Sequence, residues 1–123
     1  MNAKHKATQR LTNYLRMHRR KSGLSQRELE RVLGYHRGAV SQHEVVKAIP
    51  PLRVAIAYEI IYRTPVAELF AGLRDAIADQ IEARLAVMEE DFGQRSVRGR
   101  QANATAKKLM WLAERRSPET ELA

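Results

Sequence analysis

The sequence predicts an all-α protein: five short helices packed as one domain, followed by a long amphipathic helix and a C-terminal helix. Three observations carry this prediction. Alternating apolar and polar runs, which a half-buried strand needs, are nearly absent from the 123 residues. Ser25 and Glu28 have the spacing of a capping box, and Gly34 stands where the helix so opened would end in a left-handed residue. Ile77, Ile81, Leu85, Met88 and Phe92 recur at helical spacing, one stripe along a long helix.

The elements follow in order. Residues 1–9 are polar and cationic and form an arm, with Lys4, Lys6 and Arg10 placed to touch an anion if the arm is more than a loose tail. The first helix is expected over residues 12–21, with Leu11, Leu15, Tyr14 and His18 inward. Ser25 caps the second, whose apolar stripe is Leu29, Val32 and Leu33. The third, over residues 36–45, turns Val40 inward; Gly38 and Gln42 face away from it, with Ser41 beside them and Arg37 at the N-terminal end. Pro50 and Pro51 fix the loop at 47–51 and forbid helix there. The fourth helix spans 52–62 with Leu52, Ile56 and Ile60 as its core face, and Thr64-Pro65 starts the fifth, Thr64 as cap. These five helices make a domain over residues 10–73. The amphipathic helix occupies 74–92, a basic, glycine-bearing hinge 93–100, and a last helix with its tail 101–123. Trp111 in that last helix has the bulk of a docking contact, and Ser117-Pro118 ends it.

Charge is unevenly spread. The net charge is +8, and residues 1–72 carry 13 Lys/Arg against five Asp/Glu. Residues 73–94 reverse this, with two against six, and residues 95–123 return to seven against three. A basic domain attracts polyanions whatever their sequence, although a merely solvated surface has the same composition. With no cysteine there are no disulfides and no thiolate metal sites, which fits a cytoplasmic protein. No signal peptide is expected, since no apolar core follows the basic N-terminus, and no stretch approaches the ~20 apolar residues of a membrane span.

The run from Gly23 to Glu44, with its two short helices and glycine turn, has the geometry that lets one helix enter a DNA major groove. Gly23-Leu24-Ser25-Gln26 with Glu28-Leu29, the turn glycine, Val40-Ser41 with Glu44, and the closing Pro65-Val66-Ala67-Glu68-Leu69-Phe70 are similar, in order and spacing, to the Cro/phage-repressor-like (XRE) helix-turn-helix domain. The resemblance covers roughly residues 10–73 and implies double-stranded DNA as partner. It places Arg37, Gly38, Ser41 and Gln42 against the bases. A guanidinium at 37 suits guanine O6 and N7, an amide at 42 suits adenine N6 and N7, and Gly38 allows close backbone approach. Phosphate contacts fall to the start of the second helix, Ser25, Gln26 and Arg27, with Lys47 and Arg53 flanking. The resemblance also implies a partly buried ion pair between Arg19 and Glu44, structural rather than base-reading.

Three positions depart from the family's pattern. Glu30 stands where a small residue, usually alanine, lets helices cross closely, and His18 and His43 stand where apolar residues are common. Either Glu30 joins the histidines in a hydrogen-bonded cluster or it bends out to solvent. Their spacing fits no recognised metal site, and no metal or other cofactor is expected. Val45-Val46 replaces the frequent Asn-Gly, placing two apolar side chains where thymine methyls could meet them.

The expected function is sequence-specific transcriptional regulation, repression above all, by a homodimer joined through Ile77, Ile81, Leu85, Met88 and Phe92. A second class is an antitoxin whose C-terminal helices hold a toxin while its N-terminal domain represses its own operon. A third is a domain of this fold that binds RNA or only protein. Catalysis is not expected: there is no phosphate-binding glycine loop, no cysteine nucleophile and no Ser/His/acid arrangement in one pocket.

Overall fold

A computed structural model describes residues 11–95 and 99–116, and all regular structure among them is helical. The helices are α1 Leu15–Ser22, α2 Gln26–Leu33, α3 Ala39–Glu44, α4 Leu52–Tyr62, α5 Val66–Leu69, α6 Ala71–Gln94 and α7 Arg100–Arg115. The chain divides into two units, Met1–Ala76 and Ile77–Ala123, so that α6 contributes to both. The basic arm, the centre of the hinge and the Ser117-Pro118 stop lie outside the described residues.

Helices of four to eleven residues are not stable alone, so tertiary packing must hold the first unit together. Each of its first five helices supplies one fully buried side chain: Leu15, Leu29, Val40, Tyr58 and Leu69. Val54, Ala55 and Phe70 complete this core, with Leu24, Leu33, Tyr35 and Ile61 against its edge. Burying one such side chain contributes about 1.5–3 kcal/mol.

Several expectations are corrected. α1 begins at Leu15 rather than residue 12, because the preceding segment is spent on the far end of the domain. Gly72 N–H donates to Leu11 O at 2.7 Å, and Tyr14 N–H donates to Leu69 O at 2.7 Å. A Cβ at position 72 would stand 2.5 Å from the Leu11 carbonyl oxygen, so only glycine permits this closure. Leu11 itself is exposed, as is Val32 on α2.

The face of α4 is also inverted. Val54, Ala55 and Tyr58 are buried, whereas Leu52 (74% exposed), Ile56 (44%) and Ile60 (69%) face outward. This helix is apolar on nearly every side, so periodicity could not choose its inner face. Thr64 is not the cap of α5: its hydroxyl donates to Tyr62 O, and Pro65 holds the N-cap position. The carboxylate of Glu59 serves instead, accepting from Val66 N–H at 2.8 Å.

In the second unit α7 returns alongside α6. Leu112 is buried, and Arg115 forms a two-pronged pair with Glu82 at 3.1 and 2.7 Å. Arg116 meets Glu89 at 2.7 Å, and the Lys108 ammonium lies 5.3 Å from the centre of the Phe92 ring. The expected stripe is therefore divided. Leu85 and Phe92 are half-buried, whereas Ile77, Ile81 and Met88 remain exposed. Trp111 is exposed too, with the Arg115 guanidinium 5.8 Å from its ring. No helix among the described residues is long and apolar enough to cross a membrane.

Candidate nucleic-acid interface

The second helix starts as its sequence dictates. Ser25 Oγ accepts from Glu28 N–H at 3.0 Å, and Glu28 Oε1 accepts from Ser25 N–H at 2.8 Å. The bond from the Ser25 backbone N–H, with the Ser25 hydroxyl adding to it, holds the Glu28 carboxyl below its ordinary value. With these groups engaged, the first-turn N–H groups of Gln26 and Arg27 are the ones α2 presents to an anion. Gly34 ends the helix at φ 66°.

The third helix is short because its opening turn is not helical. Residues 36–38 form a turn, Gly38 adopts φ 89° at the N-cap, and helix begins only at Ala39. Arg37 therefore sits in the turn rather than on the helix, and Gly38 is needed for its left-handed backbone. Arg37, Gly38 and Gln42 are exposed and Ser41 is half-buried. Ala39, Val40, His43 and Glu44 are buried on the opposite side.

Four tethers fix this helix. Arg19 Nε and Nη2 grip both oxygens of Glu44 at 2.7 and 3.2 Å, while Arg19 Nη1 donates to Leu24 O. Gln26 Nε2 donates to Glu44 Oε1 at 3.1 Å, so this amide, expected on phosphate, is bonded within the domain. The Glu44 side chain is fully buried and that of Arg19 is 14% exposed. The Glu44 hydrogen bond raises the Arg19 guanidinium above its ordinary value, against the opposing effect of burial.

Glu30 supplies the second tether, and both expectations for it are overturned. It is buried, and its Oε2 accepts from Gly38 N–H at 2.9 Å and Val40 N–H at 3.2 Å. The carboxylate thus caps a helix whose own N-cap residue has no side chain. The histidines find other partners. His43 Nδ1 lies 2.9 Å from Tyr58 Oη, and His18 stacks on Tyr62 with ring centres 5.3 Å apart. Burial and nearby His36 lower the His43 pKa, with Glu30 opposing.

The third tether is this contact between His43 and Tyr58, and the fourth is Asn13. Its Nδ2 donates to His43 O at 3.0 Å while its Oδ1 accepts from Leu15 N–H at 3.1 Å. Neither Asn13 nor Tyr58 was singled out from sequence. A lone asparagine two residues before a helix and a tyrosine within an apolar helix were the available signals.

A shallow concavity lined by Gln26, Arg27, Glu30, Arg37 and Gly38 joins the start of α2 to the turn before α3. It gathers two expected phosphate residues and two expected base readers. Lys47, in the loop after α3, and Arg53, on α4, are exposed outside it. Val45 and Val46 are exposed beside the end of α3, and Val46 adopts φ 64°. A family model described as a helix-turn-helix domain matches residues 10–70. No curated protein and no solved structure matches the chain.

Proposed function

Through residues 10–70 the chain belongs to the helix-turn-helix domain family of the Cro/phage-repressor-like type, and from that membership we propose that it is a sequence-specific transcriptional repressor acting in the cytoplasm. The observation that carries the reading is the division of α3. Its buried side anchors it in the domain, while Arg37, Ser41 and Gln42 lie on or beside its outer side. Arg37 and Gln42 read base edges, and Gly38 and Ser41 lie close to the groove floor. Ser25, Arg27, Lys47 and the first-turn N–H groups of α2 hold phosphates, and Gln26 serves chiefly to brace Glu44. A dimer would place two such helices in half-sites about one helical turn apart.

Fluorescence anisotropy on the DNA upstream of its own gene, across a salt series with unrelated duplex as competitor, tests this reading. Tight binding that survives competitor should weaken by about 1–3 kcal/mol in Arg37→Ala or Gln42→Ala. Weak binding, abolished by salt and indifferent to both substitutions, would overturn it.

One observation favours a second role. Ile77, Ile81, Met88, Met110 and Trp111 leave apolar surface on the second unit, as an antitoxin holding a toxin through its C-terminal helices would. Co-purification with the product of an adjacent toxin-like reading frame, abolished by Trp111→Ala, tests it.

A further inference from the structure

The two expected readers of base edges are held by different means. Gln42 stands within α3, where its N–H donates to Gly38 O at 3.3 Å and its carbonyl accepts from Lys47 N–H at 2.9 Å. The helical ladder and the buried side of α3 set its direction. Arg37 precedes that ladder, in the turn at 36–38. His36 and Gly38 on either side of it are exposed. Gly38 takes a left-handed backbone, with open space among the described residues where a side chain would stand. Glycine leaves the chain free to adopt other conformations there. A buried group restrains the turn from within: Glu30 Oε2 accepts from Gly38 N–H at 2.9 Å and from Val40 N–H at 3.2 Å. The Gly38 N–H belongs to the peptide plane that begins at Arg37, so its bond to the carboxylate fixes the backbone from which the guanidinium extends. The second bond ties the same oxygen to the helix.

We propose that Glu30 is a positioning residue for DNA reading: it aligns Arg37 with its base pair and leaves the alignment of Gln42 to the helix. The inference rests on the base-reading roles proposed above and assigns the accuracy of one of them to a buried side chain. A two-pronged contact to a base edge needs its groups held within about 0.5 Å and 10–20°. An exposed glycine turn does not hold them so closely by itself, whereas Glu30 is rigidly placed. Its side chain is 4% exposed, and its other oxygen, Oε1, lies 3.9 Å from Arg27 Nη1. Glu30, Arg37 and Gly38 line one concavity with Gln26 and Arg27. A purely structural cap would act differently. Its loss would loosen the start of α3 and weaken binding to all sequences alike, whereas misalignment of Arg37 erodes preference at the base pairs of Arg37 alone.

The full-length protein and each variant are used to enrich binders from duplexes randomised over about two helical turns, and the enriched pools are sequenced. Base pairs whose preference disappears in Arg37→Ala belong to Arg37, and those lost in Gln42→Ala belong to Gln42. Glu30→Ala, shown folded by circular dichroism, should lose about tenfold in preference at the Arg37 pairs and nothing at the Gln42 pairs. Glu30→Gln keeps a carbonyl acceptor at the same reach and should restore most of that preference. Unchanged preference at the Arg37 pairs in Glu30→Ala would overturn the proposal. So would equal loss at both sets, the mark of a structural role alone, or a loss in Glu30→Gln as large as in Glu30→Ala. If Glu30→Ala is unfolded, Glu30→Asp, whose acceptor is withdrawn by one methylene, decides by the same criteria. A wild type that enriches no sequence would overturn the regulator reading and this inference with it. A wild type with a clear motif that Glu30→Ala reproduces in full would overturn this inference alone.

Discussion

Glu30 Oε2 lies 2.9 Å from the backbone nitrogen of Gly38, a buried carboxylate closing the end of a helix eight residues away. Glycine at 38 supplies the backbone conformation the turn needs but no capping group, and the glutamate compensates from the preceding helix. The departure from a small residue at position 30 and the glycine at position 38 are thus two halves of one arrangement. The usual exposed cap is replaced by one inside the domain.

Replacing Glu30 with alanine should lower unfolding stability by about 1–3 kcal/mol, because two N–H groups lose their acceptor and a cavity opens. Glu30→Gln retains a carbonyl oxygen and should lose less. Urea unfolding monitored by circular dichroism distinguishes them; equal stability of Glu30→Ala and wild type would show that the cap contributes nothing.

Val46 has a β-branched side chain at φ 64°, a conformation costing about 1–3 kcal/mol, while its side chain remains partly exposed. Val46→Gly should therefore raise stability by about 1 kcal/mol, after allowance for the greater freedom of glycine in the unfolded chain. A rise in the thermal midpoint is the expected readout, and a fall would mean that the valine packs better than its exposure suggests.

His43 resists protonation in the folded chain. Its pKa is lowered there, so below about pH 6.5 the unfolded chain takes up a proton that the folded chain refuses. Stability from this source is complete above that pH and declines as the pH falls toward the folded value, below which the loss levels off. Urea midpoints between pH 8 and 5 should show the decline, and His43→Gln should flatten it by the equivalent of about one proton.

Truncating Glu44 to alanine strands the largely buried guanidinium of Arg19 and also frees the Gln26 amide. A loss of about 3–5 kcal/mol is expected, enough to threaten folding of a small domain. Arg19→Ala/Glu44→Ala together should cost less than the sum of the two single losses, and additivity in that cycle would deny the coupling.

Local signals were the legible ones. The capping box at Ser25, the turn glycine at 34 and the prolines at 50 and 51 act within a few residues, and sequence placed all of them correctly. The inner face of α4 was not legible, because Leu52, Ile56 and Ile60 match the helical period as well as Val54, Ala55 and Tyr58 do. Tyr58 faces the core, and its hydroxyl meets His43, a residue on another helix. Glu30 was hidden for a related reason. Its significance lies in backbone groups of Gly38 and Val40, and no side-chain pattern announces an acceptor for a backbone N–H. The start of α1 failed similarly, since the pairing of Leu11 with Gly72 joins opposite ends of the domain.

The residues that hold α3 and those that leave its outer side open share no member. Val40, His43 and Glu44 secure it from within, and Arg37 and Gln42 project without supporting anything the fold depends on. Mutation can therefore try new side chains at 37 and 42 while the melting behaviour of the domain stays nearly constant. Under the base reading proposed for Arg37 and Gln42, a lineage carrying this domain would change its address on a genome one letter at a time, without passing through an unfolded ancestor.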